Sequence, residues 1–171
     1  MKSIYLFPFI LVLATANISV DFSLFQPCPR DFFNCLAGKN INLLIVEILD
    51  ARGTFNPNFL RSYVFSRDAQ IRDFDAIIRV NDTFIPQETS NHLATALPIT
   101  FNGTIWLHID NKQNLWSLPI EKRIPYLESF IKALQDLGLK PGVYSSADAW
   151  TVVMGSQGAG SDILKAIPVW Y

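Results

Sequence analysis

An apolar run in the first third of the chain constrains the fold most. Residues 42–49 read Asn-Leu-Leu-Ile-Val-Glu-Ile-Leu, so that after the first residue only Glu47 interrupts the apolar side chains. A strand that is apolar on both faces is typical of a parallel sheet whose faces are both covered, because a half-exposed strand alternates between apolar and polar residues. The run therefore predicts a buried strand of a parallel sheet.

Strand-like and helix-like segments alternate along the rest of the chain. The predicted strands cover residues 18–25, 42–49, 74–80, 104–110, 140–145 and 167–171. The predicted helices cover residues 31–39, 56–70, 87–97, 125–137 and 146–155. This alternation indicates the α/β class, specifically a barrel of parallel strands and helices (a TIM-like β/α barrel).

Two prolines set the expected starts of two helices. Pro57 and Pro125 suit a first helical turn, where the missing backbone N–H costs no hydrogen bond. The helix after Pro57 is expected to bury one stripe made of Phe59, Tyr63 and Val64.

Composition favours a folded domain with a substantial core. Half of the residues are hydrophobic, and 14 basic residues nearly balance 15 acidic ones. This excludes a disordered chain, and the small net charge gives no basic surface for nucleic acid. A length of 171 residues is natural for one domain.

The first residues have the features of a secretory signal. A short start containing Lys2 precedes an apolar run over residues 4–13 and the small residues Ala14-Thr15-Ala16. The run is shorter than the roughly 20 residues of a membrane span. We expect a signal peptide at residues 1–16, a mature domain at 17–171, and a protein that is secreted or enters a lysosomal or phagosomal lumen without a membrane anchor. A retained anchor is the alternative.

If the protein is secreted, three asparagines are candidate sites of N-glycosylation. Asn17, Asn81 and Asn102 each begin an Asn-x-Ser/Thr sequence, the acceptor pattern for N-glycosylation. The pattern is short and also occurs by chance.

Cys28 and Cys35 are the only cysteines, and a pair in an oxidising compartment predicts one disulfide. A metal site is not expected, because His92 and His108 lie far from both cysteines in the sequence without ligand spacing. No cofactor is expected either.

The segment Thr104–Asn111 places two titratable groups together. Its residues alternate with a period of two, so that His108 and Asp110 share one strand face, about 6.6 Å apart, and Ile109 takes the other. A polar loop beginning at Asn111 follows. The carboxyl end of a strand is where β/α barrels keep their catalytic groups. The alternative is a surface strand with polar residues facing water.

Several segments, in this order, resemble the secreted lysozymes of glycoside hydrolase family 25, in the branch found in protists and nematodes. They are Val20-Asp21-Phe22-Ser23, Cys35-Leu36, residues 56–59, Asp73-Phe74-Asp75, Trp106-Leu107-x-Ile109-acid, residues 142–146 with Trp150 and Gly155, and residues 168–171. The resemblance implies a barrel of five β/α units finished by further strands. It also implies cleavage of bacterial cell-wall glycan between N-acetylmuramic acid and N-acetylglucosamine with retention, in innate defence or digestion. Because this sequence stops inside an apolar strand, we expect the barrel to be incomplete at the C-terminus.

The resemblance assigns site residues only where the sequence matches. Asp21 corresponds to the aspartate of the family's first strand, and the family's aspartate-x-glutamate pair falls on His108 and Asp110. Asp110 keeps the carboxyl group of the acid but is one methylene shorter, and a misplacement of about 1 Å can cost on the order of 100-fold in rate. His108 cannot stabilise a cationic transition state as a carboxylate does.

Glu47 occupies a position where the family leads us to expect a basic residue. Because strands two and four share a layer inside a β/α barrel, Glu47 and His108 are hypothesised to be a charge pair whose acid and base have exchanged strands. The alternative is two unrelated substitutions. Tyr144 and Trp170 are hypothesised to face the sugar, with core packing as the alternative.

Two classes of function follow. One is an active muramidase with Asp110 as acid and Asp21 as supporting carboxylate. The other is a catalytically impaired homologue that binds glycan, or acts in immunity or signalling, without cutting it. A sugar-binding module on an unrelated β/α architecture is a third possibility.

Overall fold

The computed structural model describes residues 18–22, 28–111, 115–155 and 161–170, with side chains of the first segment described at Ser19 alone. The predicted signal peptide at residues 1–16 lies outside these ranges. The elements, in chain order, are β1 (Ile18–Phe22), α1 (Arg30–Gly38), β2 (Ile41–Leu49), α2 (Phe59–Asp68), β3 (Asp73–Arg79), α3 (Pro86–Ala96), β4 (Thr104–Ile109), α4 (Ile120–Asp136), β5 (Lys140–Ser145), α5 (Ala147–Met154), α6 (Asp162–Lys165) and β6 (Val169–Trp170).

The six strands form one parallel sheet in which each strand pairs with its neighbour in sequence. The order β1-β2-β3-β4-β5-β6 is that of a singly wound β/α barrel, in which each connection leads from one strand to the next strand on the same side. The predicted α/β class and parallel sheet are therefore confirmed.

The two faces of the sheet have different surroundings. Alternate residues of β4, namely Ile105, Leu107 and Ile109, are fully buried and belong to the main core, which also contains Leu127 and Phe130 of α4. The remaining β4 residues are half-buried and lie on the other, inward face. The alternation predicted for this strand therefore separates a helix-covered core from an inward face that can carry a site.

Two glycines allow close packing on that inward side. A Cβ at Gly103 would lie 1.9 Å from the carbonyl oxygen of Phe74, and one at Gly142 would lie 2.8 Å from the ring of Trp106. Both distances are shorter than any ordinary carbon contact. The lack of a side chain at these positions lets β3 approach the start of β4, and lets the Trp106 ring lie on β5.

Three helix predictions were wrong in detail. Helix α2 begins at Phe59 with Asn58 as its N-cap, so Pro57 precedes the helix and does not lie in its first turn. Helix α4 begins at Ile120, with Pro119 as its N-cap. Pro125, the predicted start, lies inside the helix. One missing backbone N–H is tolerated because the helix buries a long apolar face. In α2, Val64 is 45% exposed, and the buried stripe continues from Tyr63 to the small residue Ser66.

The end of the described chain also differs from the prediction. Helix α6 was not predicted, and β6 comprises only Val169 and Trp170. Helix α6 is a single turn capped by Ser161, whose hydroxyl accepts a hydrogen bond from the Leu164 N–H. Such a short helix gives no periodic signal. Among the described helices, none is long and apolar enough to cross a bilayer.

Candidate active site

Five polar or aromatic side chains lie near the carboxyl ends of neighbouring strands on the inward face. In the strand register Arg79 is beside His108, His108 beside Tyr144, and Tyr144 beside Trp170. In-register residues of a parallel sheet point to the same side, so these four form one row across β3, β4, β5 and β6. Glu47 of β2 joins the row through an ion pair with Arg79.

Asp110 directly follows β4 and holds its carboxylate at this end of the sheet. It is only 8% exposed, and its Oδ2 lies 4.0 Å from Nη1 of Arg79. Its backbone oxygen accepts a hydrogen bond of 3.1 Å from the indole Nε1 of Trp116. The Trp116 bond and the Arg79 ion pair therefore restrain the backbone and the carboxylate of the predicted acid separately.

Glu47 is almost completely buried, at 3% exposure, and Arg79 is its ion-pair partner. Nη2 of Arg79 lies 3.4 Å from Oε2 of Glu47. The side-chain amide of Asn56 also donates to the Glu47 backbone oxygen at 2.8 Å. The Asn56 bond holds the backbone, whereas the Arg79 guanidinium offsets the buried charge of the carboxylate, whose removal from water is costly.

Sequence reasoning missed Arg79, although a signal was present. An arginine follows the apolar residues Ala76, Ile77 and Ile78 at the end of a buried strand, where a charged residue needs a partner. The hypothesised pairing of Glu47 with His108 stays a prediction. Both side chains lie on the inward face, and the contact described for Glu47 is with Arg79.

The rings of His108, Tyr144 and Trp170 form a continuous stack. The centroids of His108 and Tyr144 are 4.6 Å apart with the planes 28° apart, and those of Tyr144 and Trp170 are 4.4 Å apart at 23°. Trp106 meets Trp170 edge-on at 5.8 Å. Because β5 lies between β4 and β6, Tyr144 has a ring on each of its faces.

The hypothesis that Tyr144 faces the sugar stays a prediction, and the stack limits which part of the side chain can do so. Both ring faces are occupied by His108 and Trp170, so only the edge and the hydroxyl of Tyr144 can meet a ligand. Trp170, at the end of the described stack, is half-buried, and one of its faces lies against Tyr144. The hypothesis for Trp170 stays a prediction.

Asp21 lies in β1, where its backbone pairs in register with Ile45 of β2. Its side chain lies outside the described part of the chain. Its role as a supporting carboxylate stays a prediction.

A hollow of about 230 Å³ lies between the loop that follows β4 and helices α4 and α5, and Asp110 is not among its lining residues. Its lining includes Asn111, Trp116 and Arg123. The guanidinium of Arg123 donates to the backbone oxygens of Leu118 and Val153 at 2.8 Å each, and so ties this loop to α5. The hollow is therefore separate from the Asp110 carboxylate, although Trp116, which lines it, also bonds to the Asp110 backbone oxygen.

The predicted disulfide is absent, and Cys28 and Cys35 are both free thiols in the structure. Cys35 lies in the second turn of α1, whereas Cys28 precedes the helix. Burial raises the pKa of the Cys28 thiol.

The two predicted glycosylation asparagines of the described chain differ in accessibility. Asn102 is exposed. Asn81 is half-buried, with its Nδ2 donating to the Ala51 backbone oxygen at 2.9 Å and its Oδ1 accepting from the Thr83 N–H. The amide nitrogen that would carry a glycan is therefore accessible at Asn102 and engaged at Asn81.

The fold has counterparts among solved structures. A muramidase from Trichobolus zukalii superposes with a TM-score of 0.70 over 90% of this chain and 75% of that chain, at 15% identity. The bacterial lysozyme from Streptomyces coelicolor gives a TM-score of 0.71 over 91% and 74%, at 13% identity. A family 25 glycosyl hydrolase from Bacillus anthracis gives 0.66 at 11% identity, over 89% of this chain and 68% of that chain. The fold is thus the TIM-like one of family 25 lysozymes.

Sequence comparison gives the narrower assignment. The sequence model described as "Lysozyme-like protein 1" matches residues 13–171, and the chain belongs to this family. "Probable GH family 25 lysozyme 4" of Dictyostelium discoideum is 25% identical over 170 residues, covering 97% of this chain and 76% of the relative. "Lysozyme-like protein 3" of Caenorhabditis elegans is 26% identical over 166 residues, covering 92% and 52%. The predicted resemblance to glycoside hydrolase family 25 is confirmed.

Proposed function

We propose that this protein is a lysozyme-like glycoside hydrolase that cleaves bacterial peptidoglycan between N-acetylmuramic acid and N-acetylglucosamine. Family membership and the names of its relatives support this class of reaction. The observation that carries the proposal is the Asp110 carboxylate, which is held by Arg79 at the carboxyl end of β4. The same strand carries His108, the first ring of the stack of His108, Tyr144 and Trp170, which we call the aromatic wall. A carboxyl group at the mouth of a β/α sheet is where glycosidic chemistry is expected.

In this proposal Asp110 donates the proton to the glycosidic oxygen of the leaving sugar. The bond from that oxygen to the anomeric carbon breaks, and the carbon acquires oxocarbenium character. Water then forms a bond to the anomeric carbon and gives a proton back to the Asp110 carboxylate, which completes the hydrolysis. Asp21 is proposed as the carboxylate that stabilises this positive charge. Trp170 is proposed to lie against an apolar sugar face, while His108 supplies no negative charge and instead packs on Tyr144.

The protein is proposed to act outside the cytoplasm, in innate defence or digestion. Residues 1–16 would be removed as a signal peptide, leaving the domain of residues 17–171. The exposed Asn102 is the proposed glycosylation site.

A second candidate function is binding of peptidoglycan without cleavage. It is favoured by the stacked ring of His108, which occupies the β4 position where the family resemblance places a catalytic carboxylate. A retaining glycosidase normally needs two carboxyl groups on either side of the scissile bond. Loss of one would leave the stacked rings of His108, Tyr144 and Trp170 in place as the proposed glycan-binding surface.

Clearing of a suspension of purified bacterial walls distinguishes the two functions. The unmodified protein is expected to clear the suspension, Asp110→Asn to leave it turbid, and Asp162→Asn to clear it normally, since the Asp162 side chain is 97% exposed on α6. Failure of the unmodified protein to clear walls that it nevertheless sediments with would establish the second candidate. Equal clearing by Asp110→Asn would overturn the role of Asp110.

The double substitution His108→Asp with Asp110→Glu tests whether the site is limited by these two residues. It returns both side chains to the pattern of the family, and a gain of up to roughly 100-fold in rate is expected from correcting a misplacement of about 1 Å. An unchanged rate would show that neither side chain limits catalysis.

A further inference from the structure

Arg79 lies between two carboxylates that come from different strands. Its Nη2 is 3.4 Å from Oε2 of Glu47 on β2, and its Nη1 is 4.0 Å from Oδ2 of Asp110 after β4. Arg79 itself ends β3, the strand between these two. The guanidinium is thus a bridge across three neighbouring strands at their carboxyl ends.

Burial differs sharply along this bridge. The side chains of Glu47, Arg79 and Asp110 are 4%, 27% and 11% exposed. Glu47 is therefore the most enclosed of the three, Asp110 is slightly more exposed, and Arg79 is the most exposed. Glu47 anchors the guanidinium from the buried side, and the guanidinium in turn faces Asp110.

The two contacts of the guanidinium are of different kinds. A separation of 3.4 Å to Glu47 is at the long limit of a hydrogen bond, while 4.0 Å to Asp110 is too long for one. The contact with Asp110 is electrostatic, so it attracts the carboxylate without occupying one of its lone pairs. Arg79 can therefore orient the Asp110 carboxylate without itself forming a hydrogen bond to the oxygen that is proposed to carry the proton.

Charge argues against a different role for Arg79, namely the capture of an acidic group of the substrate. Glu47 and Asp110 together offer two carboxylates to one guanidinium, so the cluster carries no excess positive charge for an anionic ligand. A group that balances carboxylates is better suited to hold one of them in place.

We propose that Arg79, anchored by Glu47, is the positioning residue for Asp110. This inference rests on the proposed function, since it assigns Asp110 the role of the acid. The short side chain of Asp110 makes positioning important, because an error of about 1 Å in a reacting group can cost on the order of 100-fold in rate.

The kinetic test compares Arg79→Met and Arg79→Lys in the wall-clearing assay, with Arg72→Met as matched control. Arg72 precedes the opposite end of the same strand and is exposed, paired with Asp73. Arg79→Met is expected to lower kcat about 100-fold with KM within about twofold, Arg79→Lys to recover at least about tenfold of that loss, and Arg72→Met to change neither. A kcat of Arg79→Met equal to that of the unmodified protein, or no recovery with lysine, would overturn the proposal.

Arg79→Met removes the guanidinium that pairs with the buried Glu47 and can prevent folding. The double variant Glu47→Met with Arg79→Met removes both charges, so it keeps the test valid. It is expected to fold and to show the same loss of kcat, while normal kcat in this variant would refute the positioning role.

Crystal structures of the unmodified protein and the double variant provide a readout that does not need activity. The Asp110 carboxylate is expected to move by about 1 Å or more when Arg79 is lost, whereas an unmoved carboxylate would overturn the proposal. If the unmodified protein does not clear walls and the carboxylate still moves, the proposed hydrolysis fails and the positioning role stands.

Discussion

The indole Nε1 of Trp106 donates a hydrogen bond of 2.8 Å to Oδ2 of Asp75 on the neighbouring strand. The other carboxylate oxygen of Asp75 accepts a bond of 2.7 Å from the Thr104 N–H. Trp106 in turn meets the ring of Trp170 edge-on. Asp75 therefore joins β3 to β4 and supports one end of the aromatic wall, without belonging to the row of residues around Asp110.

Replacing Asp75 by asparagine is expected to lower the free energy of unfolding by about 1–3 kcal/mol. Asparagine has one oxygen acceptor, so either the Trp106 or the Thr104 N–H loses its partner in a buried place. Urea denaturation at neutral pH measures the loss. Asp73→Asn is the control, because Asp73 forms an exposed ion pair with Arg72 and should cost less than about 1 kcal/mol. Equal stabilities of the two variants would contradict this role of Asp75.

The same carboxyl group predicts a dependence of stability on pH. Burial, outweighing the hydrogen bonds from Thr104 and Trp106, raises the pKa of Asp75 above its ordinary value of 3.8. The folded state then holds this proton more tightly than the unfolded state, so the contribution is present below pH 3.8 and is lost as the pH rises through the raised pKa.

The measurement is the free energy of unfolding of the unmodified protein minus that of Asp75→Asn, taken by urea denaturation across this pH range. The difference is expected to decrease as the pH rises and then to stay constant. A difference that is independent of pH, or that increases with pH, would show that Asp75 keeps an ordinary or lowered pKa.

The two thiols are expected to react at different rates with iodoacetamide near neutral pH. Cys35 is exposed, whereas burial raises the pKa of Cys28 and so reduces its reactive thiolate fraction. Peptide mass spectrometry after timed alkylation should find Cys35 modified first. Cys35→Ser is the control, and it should leave only the slow reaction. Absence of both thiols in the unreduced protein would show that the two cysteines form the disulfide predicted from the sequence.

Expression in a glycosylating host is expected to attach a glycan at Asn102 and none at Asn81. Asn102 is exposed, while the Nδ2 of Asn81 is held by the Ala51 backbone oxygen. Intact mass should fall by one glycan in Asn102→Gln and should be unaffected in Asn81→Gln apart from the substitution itself. A glycan that disappears only in Asn81→Gln would reverse the assignment.

Local signals predicted some elements of the fold with the correct bounds. The strand at 140–145 and the helix limits at Ser146 and Gly155 agree with β5 and α5. The Ser146 hydroxyl accepts a bond from the Ala149 N–H, and Gly155 takes a positive φ of 62°. Such caps depend on the residues themselves, which explains why the sequence suffices.

Other elements depended on packing that lies far away in the sequence. Pro125 suggested a helix start, but the apolar face of α4 extends back to Ile124 and the helix to Ile120. The burial of Ser66 in place of Val64 depends on how α2 lies against the sheet. Helix rotation and helix start are set by such contacts as much as by propensity.

By itself the sequence determined the parallel β/α order and the alternation that turns His108 inward and Ile109 into the core, because side chains alternate along every strand. Only the tertiary structure decided which inward groups meet. Glu47 and Arg79 are 32 positions apart, and Tyr144 lies between His108 and Trp170 because β5 lies between β4 and β6. Which inward side chains touch depends on the register between neighbouring strands and on the space around each side chain. Both depend on segments that lie far apart in the sequence, so that a short stretch of residues does not reveal them.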